Sequence, residues 1–374
     1  MISKKKRLWF TVVLVLLNLA LVYLLVAAFR TLKVYSYLKS EKLGWNGRVL
    51  QADPELGLAN VPGAIGEQTE PVGSNVPVRI DEHGFRIPAS GSMPDRRPLI
   101  LALGCSFTFG SSCLAEETYP YVLAAKLHGS AINSAVCSHG LAQMLLLAQR
   151  LVPEYKPDIV LAQYSPWIVD RAMRPFSPTY FGIVPTPYFA RDAAGALTIQ
   201  PPAFPAVAFD LPAANYRYTR RSFRDLASFF WHVGLPLFTY EDAHMAAYRI
   251  KLLLGRVPPP VKEDDADSVA QFVYNGIADV CRKSGSRMLI VIIGKDQQPV
   301  KGPSALYDVG VPVVNAHDKL RARLPEQTEE SFNQCYAHWR GTPPRIVDSH
   351  PNPLAQSLIA DAVNDALKHP QPGK

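Results

Sequence analysis

Short apolar runs, separated by longer stretches of mixed polarity, set the pattern of the chain after residue 96. Runs of this length bounded by turn residues are typical of strands buried on both faces of a parallel sheet. The runs cover residues 99–103, 131–136, 159–164, 288–293 and 311–314. Apolar residues at helical spacing predict helices over 118–127, 141–151, 268–283 and 354–367. This alternation predicts a three-layer α/β/α sandwich around a central parallel sheet of five strands.

A different pattern opens the chain, where an apolar run from residue 8 to residue 29 is broken only by Thr11 and Asn18. A helix of about 22 residues is about 33 Å long, enough to cross a hydrocarbon core of about 30 Å. The cations at 4–7 predict a cytoplasmic N-terminus, with the bulk of the chain on the periplasmic, extracytoplasmic side of the inner membrane.

The alternative for this segment is a cleaved signal peptide, with Val26-Ala27-Ala28 as a tolerable cleavage site. The apolar run is longer than the usual signal core of about 7–15 residues, which favours an uncleaved, single-pass anchor over residues 1–30.

Two segments do not follow the strand–helix alternation. Residues 31–96 predict a juxtamembrane segment with a small β-hairpin that packs on the main domain, with His83 and Arg86 at the surface or in a turn. The main domain is predicted to cover residues 97–370. Within it, residues 171–262 are rich in proline and aromatic residues and predict an insertion after the third strand. The insertion is either a lid or substrate platform, or a structural subdomain whose aromatic residues form its own core.

Composition excludes several classes of protein. The chain has 374 residues, of which 48% are hydrophobic and 19% charged, and is therefore too apolar to be disordered. Its net charge of +7 is scattered and includes the N-terminal cluster, and no basic-aromatic motif is present, so we predict no nucleic-acid partner. The five cysteines form no CxxC pair and no zinc pattern. Cys105, Cys113 and Cys137 are expected near one edge of the sheet, where a disulfide is possible but no pairing is assigned.

Candidate chemistry lies at both ends of the main domain. Ser106 follows the strand 99–103, at the carboxyl edge where ligand crevices form in open α/β sheets. Asp348 and His350 lie together in a polar loop just before the last predicted helix. A serine becomes nucleophilic when a base takes its proton and an acid orients that base. The three residue types therefore predict nucleophilic catalysis if the fold brings them together.

The two segments together resemble the SGNH/GDSL hydrolase family over roughly residues 97–368, through the block Gly104-Cys105-Ser106-Phe107-Thr108-Phe109-Gly110 and the pair Asp348–His350. The resemblance implies a flavodoxin-like fold and a triad of Ser106 as nucleophile, His350 as general base and Asp348 as its orienter. No metal or organic cofactor is implied. The first block departs from the family at Cys105, where aspartate is usual.

The resemblance also implies an oxyanion hole. Its donors would be the backbone N–H of Ser106 and that of Ser138, with Gly140 as the next glycine along the second block. The asparagine usual in the third block is absent between residues 162 and 174, which leaves Gln163 or the Trp167 indole as alternatives. Losing one oxyanion donor typically costs about 2.7–4 kcal/mol in the transition state. The neighbouring His139 is predicted to be a surface histidine of the turn.

Three functions remain open from the sequence. The leading hypothesis is a membrane-anchored serine esterase or O-acyltransferase, acting on acyl esters of an envelope or secreted polysaccharide through an acyl-enzyme on Ser106. The second is a lipid or thioester hydrolase with the same triad. The third is a catalytically weak module of this fold that binds glycan or acts as a scaffold. Protein partners are not predicted.

Overall fold

The computed structural model describes residues 4–39, 44–69, 75–91, 95–178, 183–206 and 223–368. The strands within them are β1 (Gly44–Asn46), β2 (Leu50–Asp53), β3 (Gly57–Asn60), β4 (Ile65–Thr69), β5 (Val76–Ile80), β6 (Arg86–Ile87), β7 (Leu99–Leu103), β8 (Ser130–Asn133), β9 (Ile159–Tyr164), β10 (Phe176–Pro178), β11 (Ile183–Pro185), β12 (Tyr188–Arg191), β13 (Leu197–Gln200), β14 (Arg287–Ile292), β15 (Val313–Asn315), β16 (His338–Arg340) and β17 (Arg345–Asp348). The α-helices are α1 (Lys4–Lys39), α2 (Ser106–Phe109), α3 (Tyr119–Lys126), α4 (Leu141–Tyr155), α5 (Pro166–Ala172), α6 (Phe223–Phe229), α7 (Leu235–Leu253), α8 (Ala266–Ser284), α9 (Ser304–Tyr307), α10 (Ala316–Arg321), α11 (Glu329–Tyr336) and α12 (Pro353–Lys368).

The centre of the molecule is the predicted set of five parallel strands, in the order β8-β7-β9-β14-β15. All residues of β7 and β9 are buried, as their unbroken apolar sequences predict. Because the strand that comes first in the chain, β7, lies between β8 and β9, the strand order reverses beside it. In open α/β sheets the ligand crevice forms at the carboxyl ends of the strands at such a reversal.

Helices cover both faces of this sheet and complete the predicted three layers. On one face α4 packs against α8, and on the other α12 packs against α3 and α10. Helix α8 buries Val269, Val273 and Ile277 along one stripe, at the spacing expected of an amphipathic helix on a sheet. The fold class predicted from the sequence is confirmed.

The N-terminal segment differs from the separate hairpin that was expected. The hairpin itself is present as β5 and β6, but it continues the central sheet, because Arg86 on β6 pairs with Asn133 on β8. Strands β1, β4, β5 and β6 thereby extend the five parallel strands to a sheet of nine. The sequence pattern predicts the strands. It does not predict this pairing, because the paired residues lie far apart in the chain.

Arg86 is a further correction, since it is fully buried rather than exposed. Its guanidinium donates to the carbonyl oxygens of Phe109 and Gly110, at 2.5 and 2.6 Å, and to that of Cys113. Burial lowers the pKa of Arg86. These carbonyls face inward from the loop after Ser106, so the buried cation holds that loop in place.

The insertion has a core of its own. A hairpin is formed by β12 and β13, and Phe176, Tyr188, Phe204 and Tyr248 pack ring against ring beside it. Helix α6 continues through a π-helical turn, Phe230–Gly234, into α7. Residues 179–182 and 207–222 of the insertion lie outside the described residues. The aromatic packing favours the structural subdomain over the lid.

Candidate active site

Ser106 lies at the carboxyl end of β7, at the start of the short helix α2. The turn before it requires glycine at 104, because a Cβ there would lie 2.2 Å from Thr108 Oγ1 and 2.6 Å from Gln163 Oε1. The backbone at residue 104 is therefore packed closely against the side chains of Thr108 on α2 and Gln163 on β9.

The structure brings the three predicted residues together. Ser106 Oγ lies 2.8 Å from His350 Nε2, and His350 Nδ1 lies 2.6 Å from Asp348 Oδ1. The backbone N–H of His350 also donates to Asp348 Oδ1, at 3.2 Å. A hydroxyl, an imidazole and a carboxylate are thus in line and within hydrogen-bond distance, the arrangement in which a base can take the serine proton.

Asp348 is held in its ionised form. Its burial opposes ionisation, but the neighbouring His350 and the hydrogen bonds from His350 and Ser112 outweigh burial and lower its pKa to about 2. A carboxylate that is charged at neutral pH orients the imidazole with its Nδ1 proton toward the acid, which leaves Nε2 free to accept from Ser106.

Ser112 is a site residue that the sequence analysis missed. Its buried hydroxyl donates to Asp348 Oδ2 at 2.6 Å, and its backbone N–H donates to Gln68 Oε1 at 2.7 Å. Ser112 has a φ of 60°, a left-handed conformation that is uncommon outside glycine and that turns its side chain into the site. A polar residue soon after the nucleophile turn was the available signal, but nothing in the sequence separates Ser112 from Ser111.

Gln163 does not take the role that was suggested for it. It is fully buried; its Nε2 donates to Ser165 Oγ at 2.9 Å and Cys105 Sγ at 3.3 Å, while its Oε1 accepts from Cys105 N and Thr108 Oγ1. Both amide hydrogens are engaged, so Gln163 has none left for an oxyanion. It instead ties the turn before the nucleophile to the end of β9.

Of the backbone N–H groups considered as oxyanion donors, some already have a hydrogen-bond acceptor and others do not. Gly140 N–H donates to Gln143 Oε1 at 3.0 Å at the start of α4 and is therefore engaged. Among the described residues, the N–H groups of Ser106 and Ser138 have no hydrogen-bond acceptor. Ser138 has a φ of 71°, in the turn that links β8 to α4. Ser106 and Ser138 therefore remain the candidate oxyanion donors.

His139 is buried rather than exposed, against the prediction. Its Nε2 lies 2.7 Å from the carbonyl oxygen of Leu58, which fixes the Nε2–H tautomer, and its ring lies beneath the N-terminal strands. Burial lowers its pKa to about 4. The sequence could not place it, because the partner carbonyl comes from a strand about eighty positions earlier.

The five cysteines, all of them within the described residues, are free. Burial raises the pKa of both Cys113 and Cys137 to about 12, so both are protonated at neutral pH. Cys105 Sγ lies 4.0 Å from Ser106 Oγ, much farther than the imidazole of His350. The serine, not a thiolate, is therefore the nucleophile that this geometry provides.

An open groove of about 680 Å³ lies at the carboxyl ends of β9 and β14, and Trp167 is one of the residues that line it. The ring of Trp167 contacts Phe107 at a centroid distance of 5.0 Å, and Phe107 contacts the ring of His350 at 5.0 Å, which links the groove to the base. The polar side chains that line the groove are those of Asp170, Lys295, Asp296, Gln298 and Lys301.

No protein-family model and no curated protein matches the chain. Among solved structures it is similar to a protein assigned to the G-D-S-L lipolytic family from Desulfitobacterium hafniense, with 9% identity and a TM-score of 0.33 over 72% of this chain and 99% of that one. It is also similar to the psychrotrophic esterase EstA from Pseudoalteromonas, with 14% identity and a TM-score of 0.33 over 72% of this chain and 97% of that one. A third match is a carbohydrate esterase family 2 enzyme from Corynascus thermopiles (Myceliophthora fergusii), with 11% identity and a TM-score of 0.34 over 87% and 86%.

At these identities the similarity describes the fold and says nothing of activity. The structure itself has a flavodoxin-like strand order. A serine follows β7 and an Asp–His pair comes just before α12, and the three residues meet at one edge of the sheet. Fold, chain order and side-chain contacts are those that the SGNH/GDSL resemblance implies.

Proposed function

We propose that the chain is a serine hydrolase of the SGNH type that cleaves or transfers acyl esters. The observation that carries this proposal is the continuous hydrogen-bonded line from Ser106 Oγ through His350 to Asp348, with distances of 2.8 and 2.6 Å. At a sheet edge where ligands bind, such a line can activate the hydroxyl as a nucleophile.

The reaction follows from the positions of these atoms. Ser106 Oγ attacks the ester carbonyl carbon while His350 Nε2 takes its proton, and Asp348 stabilises the resulting imidazolium. The backbone N–H groups of Ser106 and Ser138 stabilise the developing oxyanion. Collapse of the intermediate breaks the bond to the alcohol, which leaves with the proton from His350. Water or a second hydroxyl then attacks the acyl-enzyme, with His350 again acting as base.

The groove at Trp167, whose ring is joined to His350 through Phe107, supports an acylated glycan as the substrate. Its two lysines and two aspartates balance in charge, so it favours neither an anionic nor a cationic ligand. An aromatic ring together with charged and amide side chains suits a sugar ring, which offers an apolar face and many hydroxyls. A long acyl chain would require an apolar cavity instead, which makes the lipid or thioester hydrolase the second candidate.

The location proposed for the protein is the membrane, with α1 as a retained anchor. Among the described residues one helix, Lys4–Val34, is long and apolar enough to cross a bilayer. Ala27, within the alternative cleavage site, is helical and only 1% exposed. The apolar run is longer than the usual signal core of about 7–15 residues, which supports an uncleaved helix.

The test compares the purified chain with Ser106→Ala and His350→Ala on p-nitrophenyl acetate and on an acetylated oligosaccharide. We expect turnover of both esters, with loss of at least 10³-fold in either variant. A series of p-nitrophenyl esters from two to twelve carbons separates the candidates, because preference for long chains would favour the lipid hydrolase. Equal turnover by Ser106→Ala and the unsubstituted chain would reject the serine mechanism.

A further inference from the structure

Helix α1 is bound to the insertion by specific contacts near its C-terminal end. The guanidinium of Arg30 pairs with Asp242 at 2.8 Å and Glu241 at 3.3 Å, and it lies 4.0 Å from the ring centroid of Phe238. Glu241 is almost fully buried in this contact. A partly buried ion pair that also stacks on an aromatic ring fixes the angle between α1 and α7 more firmly than an exposed pair would.

Further contacts show where α7 meets α1. Thr31 lies against Gly234, where a Cβ would come within 2.2 Å of the Thr31 hydroxyl. Tyr23, two turns earlier on α1, hydrogen-bonds to Thr239 at 3.1 Å and to Asp242 at 3.4 Å. Arg30 and Tyr23, about two turns apart on α1, both reach Asp242, so α1 and α7 meet there, near the C-terminal end of the apolar run of α1. Beyond Asp242, α7 continues to Leu253.

The far end of α7 carries an exposed apolar face. Ile250, Leu253 and Leu254 are 55%, 86% and 61% exposed, at the i, i+3, i+4 spacing of one helix face. Leu253 lies 11 positions past Asp242, about 16 Å along a helix. Leucines this exposed are costly in water and, when clustered, mark a surface that meets another apolar phase. We refer to Ile250, Leu253 and Leu254 as the α7 tip.

Cations flank the α7 tip. Arg249 and Lys251 alternate with its apolar residues, and Arg256 follows in the next turn of the chain. Long cationic side chains beside an apolar helix face are typical of helices that lie in a bilayer interface, where the cations reach lipid phosphates and the apolar residues enter the acyl region. On the other side of the helix, Tyr248 and Leu252 pack on the insertion core. Only one face of α7 is thus left for the membrane.

We propose that the α7 tip is a second membrane contact, which enters the surface of the same bilayer that α1 crosses. This inference rests on the membrane location proposed above, and it adds that the domain is oriented on the bilayer rather than tethered freely. Two contacts, α1 and the α7 tip, joined by the Arg30–Asp242 pair, define how the domain faces the membrane.

The experiment uses the full chain in nanodiscs of phosphatidylethanolamine and phosphatidylglycerol. A polarity-sensitive fluorophore is attached in turn to Leu253→Cys, to Tyr307→Cys as an exposed control on α9, and to Leu17→Cys within α1. The unsubstituted chain, labelled in parallel, gives the background from the native cysteines. Quenching by lipid-attached nitroxide is compared with quenching by aqueous iodide.

We expect lipid nitroxide to quench the Leu253 label at least threefold more than the Tyr307 label, and iodide to show the reverse. If the Leu17 label is quenched by lipid and the Leu253 label behaves like the Tyr307 label, the second contact is refuted while the anchor stands. A Leu253 label shielded from both quenchers would indicate a protein partner and also overturn the proposal. If even the Leu17 label escapes lipid nitroxide, the membrane location fails and the second contact with it. Ester hydrolysis is measured separately and distinguishes either failure from that of the enzyme assignment.

Discussion

Replacing Ser112 by alanine removes one of the hydrogen bonds that hold the carboxylate of Asp348. The bond is 2.6 Å long and lies between side chains that are 3% and 8% exposed. A hydrogen bond to a charged group contributes about 1.5–3 kcal/mol. If that free energy is used to keep Asp348 in line with His350, its loss lowers kcat by roughly 10- to 150-fold. KM should change by less than about twofold, because in this account the Ser112 hydroxyl does not touch the substrate.

A pH profile separates positioning from a general loss of structure. The hydrogen bond from Ser112 is one of the causes that lower the pKa of Asp348, so its removal raises that pKa from about 2. Asp348 stays ionised near neutral pH in either protein, so Ser112→Ala should lose kcat by the same factor across that range, whereas a merely less stable enzyme would lose more as it approaches unfolding.

Two further variants control this experiment. Ser112→Gly also removes the hydroxyl but accommodates the φ of 60° without strain, so it should lose as much kcat as Ser112→Ala and be more stable. Ser111→Ala changes the neighbouring hydroxyl, which lies 3.7 Å from Cys137 Sγ and does not contact the triad. Steady-state kinetics on p-nitrophenyl acetate measure all three. Unchanged kcat in Ser112→Ala, or the same loss in Ser111→Ala, would refute the positioning role.

Three other outcomes follow from the structure. Gly104→Ala places a methyl 2.2 Å from Thr108 Oγ1. We expect urea unfolding to show a loss of about 1–3 kcal/mol of stability, and ester turnover to show a loss of more than tenfold in kcat. Wild-type values in both assays would contradict the tight turn. His139 has a folded-state pKa of about 4. Its contribution to stability is present above the unfolded pKa of about 6.5 and is lost as pH falls toward 4, by roughly 2–3 kcal/mol at pH 4.5. The melting temperature should therefore fall less steeply between pH 7 and 4.5 in His139→Gln than in the unsubstituted chain, and equal slopes would contradict this contribution of His139. Arg86→Met leaves the carbonyls of Phe109 and Cys113 without a donor and that of Gly110 with only the N–H of Cys113. We expect faster amide hydrogen exchange across the loop after Ser106, and unchanged protection would argue against its role.

The fold could be predicted because its signal is local. Unbroken apolar runs such as 99–103 and 159–164 are read correctly as buried parallel strands, and the structure differs from the predicted ends by only a few residues. Ser106, Asp348 and His350 could be singled out because each lies at a strand or helix boundary that the pattern defines. Their juxtaposition follows from the rule that the carboxyl ends of parallel strands share one edge.

The buried polar residues could not be predicted because their partners are distant in the chain. Arg86 has the composition of a turn residue, and only the inward-facing carbonyls of the loop 109–113 make its burial possible. His139 depends in the same way on the carbonyl of Leu58. Gln163 has an amide that suits an oxyanion, but Cys105, Thr108 and Ser165 occupy all of its hydrogen-bonding positions. A sequence shows which groups need partners and leaves open where those partners lie.

The most direct test of the catalytic assignment is covalent labelling of the full chain with a fluorophosphonate, followed by intact mass measurement and peptide mapping. This reagent phosphonylates only a serine that a neighbouring base has activated. We predict one adduct per chain, on the peptide that contains Ser106, and greatly slowed labelling in His350→Ala and Asp348→Asn. A chain that stays unlabelled, or an adduct on another residue, would contradict the proposal that this serine is the nucleophile.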